Sequence, residues 1–355
     1  MDLPVPAPAA RKRRRRRLLL AACGVLLALL AVEALLAREA DAARERLVRE
    51  GGPFRFFTLR TVDGRILSKR RGPLELVLDP VLAYRNHPGQ RGPGFAVNSR
   101  GYRGPELRPR EPGVPRIVLL GGSTAFGFGI GSDEDTLAAR LERELAPAEV
   151  VNAGVIGYVS GQELALLRTE VLDLDPQVVI AFDGWNDFRT GLLRPDGTVA
   201  TVLFAQVEDL ASEAALARRS FPFAFRVAFS HVFRQIRSRI RLALAPVPEP
   251  YAPGFPAEEE VDGRLAPYLR NVLAMHAACR AKGCRFYLVV QSERQADPPY
   301  RTFAGRATRA LLEAGGEALD AATLEELGPK HFLDDVHLTV EGNAAVASAL
   351  ARRLR

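Results

Sequence analysis

The chain has 355 residues, 47% of them hydrophobic and 26% charged; this is ordinary globular composition, long enough for one large core or two smaller ones. Of the net charge of +7, +5 falls within the first 37 residues, where Arg11–Arg17 (six Arg and Lys12) outweigh Asp2 and Glu33. The remaining +2 argues against a nucleic-acid-binding body, and three cysteines without a Cys/His cluster argue against a zinc site, so neither a metal nor a cofactor is expected.

Residues 1–17 read as a basic cytoplasmic tail, Pro- and Ala-rich up to Ala10. Residues 18–37 form an apolar run interrupted only by Glu33, long enough to cross a hydrocarbon core of about 30 Å as a helix. The basic block on its N-terminal side predicts a single-pass anchor with the body outside the membrane, in the periplasm. Two alternatives are a cleaved signal peptide ending near Leu35-Leu36-Ala37, which would make the body secreted, and a lipoprotein signal at Leu20-Ala21-Ala22-Cys23. For an exported body a Cys279–Cys284 disulfide competes with two thiols packed at a helix end and a strand start.

Residues 38–113 read as a charged stalk followed by a β-rich lead-in that wraps the main domain. Phe54–Leu59 and Leu74–Leu78 are β-prone, and Asp63-Gly64 between them signals a hairpin. The lead-in includes Asn98-Ser99-Arg100-Gly101-Tyr102-Arg103-Gly104. From residue 114 onward the pattern alternates. Apolar strands are expected at Arg116–Leu120, Val150–Asn152, Pro176–Phe182 and Arg285–Val290, and helices at Thr136–Leu145, Gly161–Leu172, Leu265–Lys282, Ala307–Ala314 and Glu341–Leu354. This predicts an α/β domain over 114–355 whose parallel sheet is covered on both faces. An insertion at about 190–262 breaks the rhythm. Within it, Phe225, Phe229, Val232, Ile236 and Ile240 recur at helical spacing opposite Arg226, Arg234, Arg237 and Arg241, as a lid, a membrane-facing helix or a helix packed on its own domain.

Ser123 lies between glycines and Thr124, just after the first strand, where parallel α/β proteins bind ligands. A serine hydroxyl needs a neighbouring base, most often histidine. Among His87, His231, His276, His331 and His337, His337 stands out through its neighbours, with Asp334 three residues earlier. Such a carboxylate fixes the imidazole tautomer and stabilises the imidazolium. Ser123 N–H, a glycine N–H at Gly157 (or Gly154) and the Asn186 amide are candidate oxyanion donors.

Gly121-Gly122-Ser123, Gly157, Gly184-Trp185-Asn186-Asp187 and Asp334-Val336-His337 together resemble the four blocks of the SGNH hydrolases, the GDSL esterase/lipase superfamily, over residues 114–355. The resemblance implies a three-layer α/β/α flavodoxin-like fold, with Ser123 as nucleophile, His337 as base, Asp334 as its orienter, and Ser123, Gly157 and Asn186 as oxyanion hole. Gly122 departs from the family pattern, which usually has Asp there. The expected function is an exported, membrane-tethered serine hydrolase of carboxylic esters, in small molecules, lipids or acylated glycans. An O-acyltransferase acting on an envelope or exported polysaccharide, and a non-catalytic binding protein on the same scaffold, are the alternatives.

Overall fold

The computed structural model describes residues 8–49, 57–60, 66–68, 74–193, 199–201, 256–295 and 297–355. They fall into two compact units. The first contains helix α1 (Pro8–Arg49). Its stretch Arg16–Leu35 has a mean hydropathy of 2.6 over 20 residues, long and apolar enough to cross a membrane, as a signal sequence also would be.

The second unit opens with β1 (Phe57–Arg60), β2 (Ile66–Ser68), β3 (Leu74–Asp79) and β4 (Ala83–Asn86), joined in the order β2-β1-β3-β4. The expected hairpin differs in its partner: β1 pairs antiparallel with β2 and parallel with β3. The dozen or so residues between β1 and β3 suffice for a parallel connection, whereas the shorter return reaches only Ile66–Ser68. The turn itself, 61–65, lies outside the described residues. A small ribbon follows, β5 (Arg91–Gly92) against β6 (Phe95–Ala96).

The main sheet begins at β7 (Arg116–Gly121), with every residue buried. The one-turn helix α2 (Ser123–Phe126) follows, then α3 (Leu137–Glu144), β8 (Glu149–Asn152), α4 (Ser160–Thr169) and β9 (Val178–Asp183). After a hairpin of β10 (Gly191–Leu193) and β11 (Val199–Thr201) come α5 (Val261–Lys282), β12 (Arg285–Val290), α6 (Pro298–Glu313), β13 (Glu317–Asp320) and α7 (Val340–Leu354). Strand order is β13-β12-β9-β7-β8, all parallel. Counted from β7 this is 2-1-3-4-5, the flavodoxin-like order, whose switch point lies between β7 and β9. The fifth strand escapes the sequence reading because Glu317-Ala318-Leu319-Asp320 is short and has no β-branched residue. The amphipathic segment at 220–245 lies outside the described residues.

Alternate strand residues serve opposite faces. Val118, Leu120, Val179, Ala181, Leu288 and Val290 join one core with α4, α5 and α6, while Ile117, Leu119, Ile180, Phe182 and Val289 join another with α3 and α7. The result is three layers. Leu74, Leu76, Leu82, Tyr84, Val97 and Tyr102 from the lead-in belong to the first core. Helix ends follow local chemistry: Thr136 and Thr339 Oγ1 accept from Ala139 N and Gly342 N to cap α3 and α7, and Gly283 at φ +78° ends α5. Cys279 and Cys284 are buried free thiols, with Cys284 Sγ donating to Cys279 O at 3.4 Å. The packed-thiol alternative, and not the disulfide, is what this structure contains.

Candidate active site

Ser123 and Asn186 follow the carboxyl ends of β7 and β9, the strands that flank the switch point, and the segment before α7 brings His337 to Ser123. Gly121 ends β7 and α2 begins at Ser123. Gly127 N and Phe128 N donate back to Ser123 O at 3.0 and 2.9 Å, and Gly127 adopts φ +87°. The chain therefore makes one helical turn and stops, leaving Ser123 at the start of that turn. The first amides of a helix have no intrahelical acceptor, so Ser123 N–H meets the requirement for an oxyanion donor.

Ser123 Oγ lies 2.8 Å from His337 Nε2, and His337 Nδ1 lies 2.7 Å from Asp334 Oδ2. Asp334 sits in a tight bend and not on a helix. Its Oδ1 accepts Val336 N and His337 N at 3.0 and 2.9 Å, leaving Oδ2 for the ring. Burial pushes the Asp334 carboxyl up, but the hydrogen bonds from the His337 ring and backbone outweigh it and hold it well below the usual carboxylate range. Asp334 is thus a fixed negative charge beneath the imidazole. Phe128 packs on the His337 ring with centroids 4.9 Å apart. Asp335 contributes its carbonyl, which accepts from Arg294 N, and its side chain is exposed.

Asn186 opens a π-helical turn, Asn186–Thr190, directly after β9, a distortion frequent at functional sites. Its Nδ2 donates to Tyr158 O at 2.8 Å, which fixes the amide beside the Gly157 loop. The two glycines of that loop differ in their surroundings. Gly154 N donates to Asn152 Oδ1, and a Cβ on Gly154 would lie 2.4 Å from Phe126 N, so Gly154 is a close-packing residue against α2. Gly157 is half-buried with φ +76°. Gly122 has a comparable reason to be glycine: a Cβ there would lie 2.6 Å from Asn186 Nδ2. Any side chain at this position requires the end of the Asn186 amide to shift.

Residues not anticipated from the sequence brace this arrangement. Asp187 accepts Ser160 Oγ and Ser160 N at 2.6 and 3.0 Å, tying the Asn186 turn to α4. Burial, then the neighbouring Asp183 charge, pushes the Asp187 carboxyl up to about 7 despite those bonds. Burial and the Asp183 charge also raise fully buried Glu163 well above the usual carboxylate range, and Tyr268 donates to Asp183. Arg103, from the lead-in, reaches carbonyls beside α2. No local pattern links these residues to their partners, because the partners named here lie 20 to 85 positions away.

Residues 119–345 match the model of the GDSL-like lipase/acylhydrolase family. No curated protein matches the chain. Among solved structures, a lipolytic protein of the G-D-S-L family from Desulfitobacterium hafniense DCB-2 is 16% identical, with 67% of this chain and 98% of that one covered at a TM-score of 0.41. A lipase/acylhydrolase from Enterococcus faecalis is also 16% identical (68% and 95% covered, TM-score 0.41). Axe2, an acetylxylan esterase from Geobacillus stearothermophilus, is 17% identical (68% and 94%, TM-score 0.39). With the family model spanning well over half its length, from the last residues of β7 to the middle of α7, the chain belongs to the GDSL-like lipase/acylhydrolase family.

Proposed function

We propose that this member of the family is an exported, membrane-tethered serine esterase with Ser123 as nucleophile, His337 as base and Asp334 as orienting acid. The observation that carries the reading is the run of contacts from Ser123 Oγ to His337 Nε2 (2.8 Å) and from His337 Nδ1 to Asp334 Oδ2 (2.7 Å). Ser123 Oγ bonds to the ester carbonyl carbon as its proton passes to His337 Nε2. Asp334 supports the resulting imidazolium. Ser123 N–H, Gly157 N–H and the Asn186 amide receive the developing oxyanion. The C–O bond to the alcohol then breaks, and Nε2 returns its proton to the departing oxygen. Water repeats the sequence on the acyl-enzyme: Nε2 takes its proton, the carboxylic acid leaves and Ser123 regains its hydroxyl.

In this reading residues 1–17 stay cytoplasmic, 18–37 anchor the chain, 38–113 serve as stalk and lead-in, and 114–355 carry out hydrolysis outside the membrane. A fluorophosphonate probe should label Ser123 in the full chain, and Ser123→Ala should abolish labelling and lower kcat on p-nitrophenyl acetate by about 10⁶-fold. Full turnover in Ser123→Ala defeats the assignment. Protease digestion of intact spheroplasts should remove the body while sparing the N-terminal tail; a fully protected body contradicts the orientation.

A further inference from the structure

The turn that holds Ser123 lacks two ordinary supports. Its helix, α2, has only four residues, and a single turn gains too few internal hydrogen bonds to offset the ordering of its backbone. The residue before the nucleophile is Gly122, which has no side chain to brace the loop. Phe126 O, Gly127 O and Ile130 O all lie at the far end of this turn.

Arg103 fills that gap. Its Nη1 donates to Phe126 O at 3.1 Å and Gly127 O at 2.6 Å. Its Nη2 donates to Ile130 O at 3.1 Å and Gly94 O at 3.3 Å, and Nε donates to Asp133 Oδ1 at 2.8 Å. A guanidinium has five N–H groups, and five acceptors surround this one. The side chain is 2% exposed, and its carbon Cζ stands 5.0 Å from the Phe126 ring centroid.

The backbone of Arg103 is fixed just as firmly. Its N–H donates to Asn152 O at 3.0 Å, at the end of β8, where the Gly154–Gly157 loop begins. The loop before it is closed by Asn98, whose Oδ1 accepts Arg100 N and Tyr102 N and whose Nδ2 donates to Pro105 O, with Gly101 at φ +86°. Arg103 therefore ties together the segments bearing Ser123, Gly157 and, through Phe128 against the imidazole, His337.

We propose that Arg103 is a positioning residue for Ser123, its guanidinium clamping the Phe126–Ile130 turn so that Ser123 Oγ and His337 Nε2 stay in register. The inference rests on the serine-esterase reading above. It gives the Asn98–Gly104 loop a task, extends the catalytic unit into the lead-in, and explains how the nucleophile turn holds without a carboxylate at position 122.

The test uses the full chain in detergent, comparing wild type with Arg103→Met and Arg103→Lys. Lysine keeps the charge and loses the planar fork. Arg116→Met is the comparator, because Arg116 is equally buried but bonds Glu149, Leu174 O and Arg108 O at the opposite end of β7. Fluorophosphonate labelling rate, kcat and KM on p-nitrophenyl acetate, and melting temperature are measured on folded protein. Both Arg103 variants should lose about 10- to 100-fold in labelling rate and kcat, with KM nearly constant. Arg116→Met should lower the melting temperature and leave kcat unchanged.

Arg103 variants that label and turn over like wild type, alongside a labelled wild type, overturn this inference alone. So does an equal kcat loss in Arg116→Met, or failure of both Arg103 variants to fold, since either makes Arg103 a stability residue only. A wild type that does not label overturns the esterase reading and this inference with it.

Discussion

Gly122→Ala separates the folding of this site from its chemistry. A Cβ at position 122 would lie 2.6 Å from Asn186 Nδ2, where ordinary contact begins at 3.4 Å. The amide must therefore retreat by about 0.8 Å, and misplacement on that scale can cost about 10²-fold in rate. Loss of one oxyanion donor gives a similar figure, about 10²–10³-fold in kcat. The next atom, Tyr158 O, would be 3.3 Å from the new Cβ, so the backbone has to yield very little. The obstructed atom is the end of a side chain, which can swing aside while the fold survives. Gly122 has φ −84° and ψ −147°, so its φ lies outside the left-handed region that favours glycine. The expected outcome is a kcat on p-nitrophenyl acetate lowered by about 10²-fold with a nearly unchanged melting temperature. Full kcat with intact structure would falsify the view that Asn186 must sit at this distance, and a large loss of melting temperature would place the conflict in the backbone.

Asp334→Asn should keep the fold and lower kcat by about 10⁴-fold, because an amide no longer enforces the imidazole tautomer; activity within about tenfold of wild type removes Asp334 from the mechanism. Burial raises the carboxyls of Glu163 and Asp183, and that of Asp187 to about 7. Acids raised in the folded state stabilise it fully below their unfolded values near 4 and lose that contribution as pH rises through the folded value. Melting temperature should therefore fall between about pH 5 and pH 8, and Asp187→Asn should flatten that slope; an unchanged slope refutes the assignment of a buried proton there. Arg116 Nε and Glu149 Oε2 lie 2.6 Å apart with both side chains less than a tenth exposed. Glu149→Ala strands the guanidinium and should cost about 3–5 kcal/mol in urea unfolding; a loss below about 1 kcal/mol, as for a surface pair, contradicts the effect of burial.

The sequence alone determined the three-layer architecture, because fully buried parallel strands must be apolar along their length and the covering helices must be apolar on one face. Four of five strands and the main helices were legible for that reason. Ser123 and Asn186 were legible as polar residues just after the apolar strands β7 and β9, and the Asp334–His337 pair was legible from its three-residue spacing. β13 was not: its contribution is backbone pairing with β12, which leaves little trace in side chains. Tertiary structure alone decided why position 122 is glycine, since Asn186 approaches it from 64 residues away. It also made Gly154 a close-packing residue against α2 and placed Arg103 behind the nucleophile turn. Those facts depend on which distant backbone atoms meet one side chain, and local periodicity carries no record of such meetings.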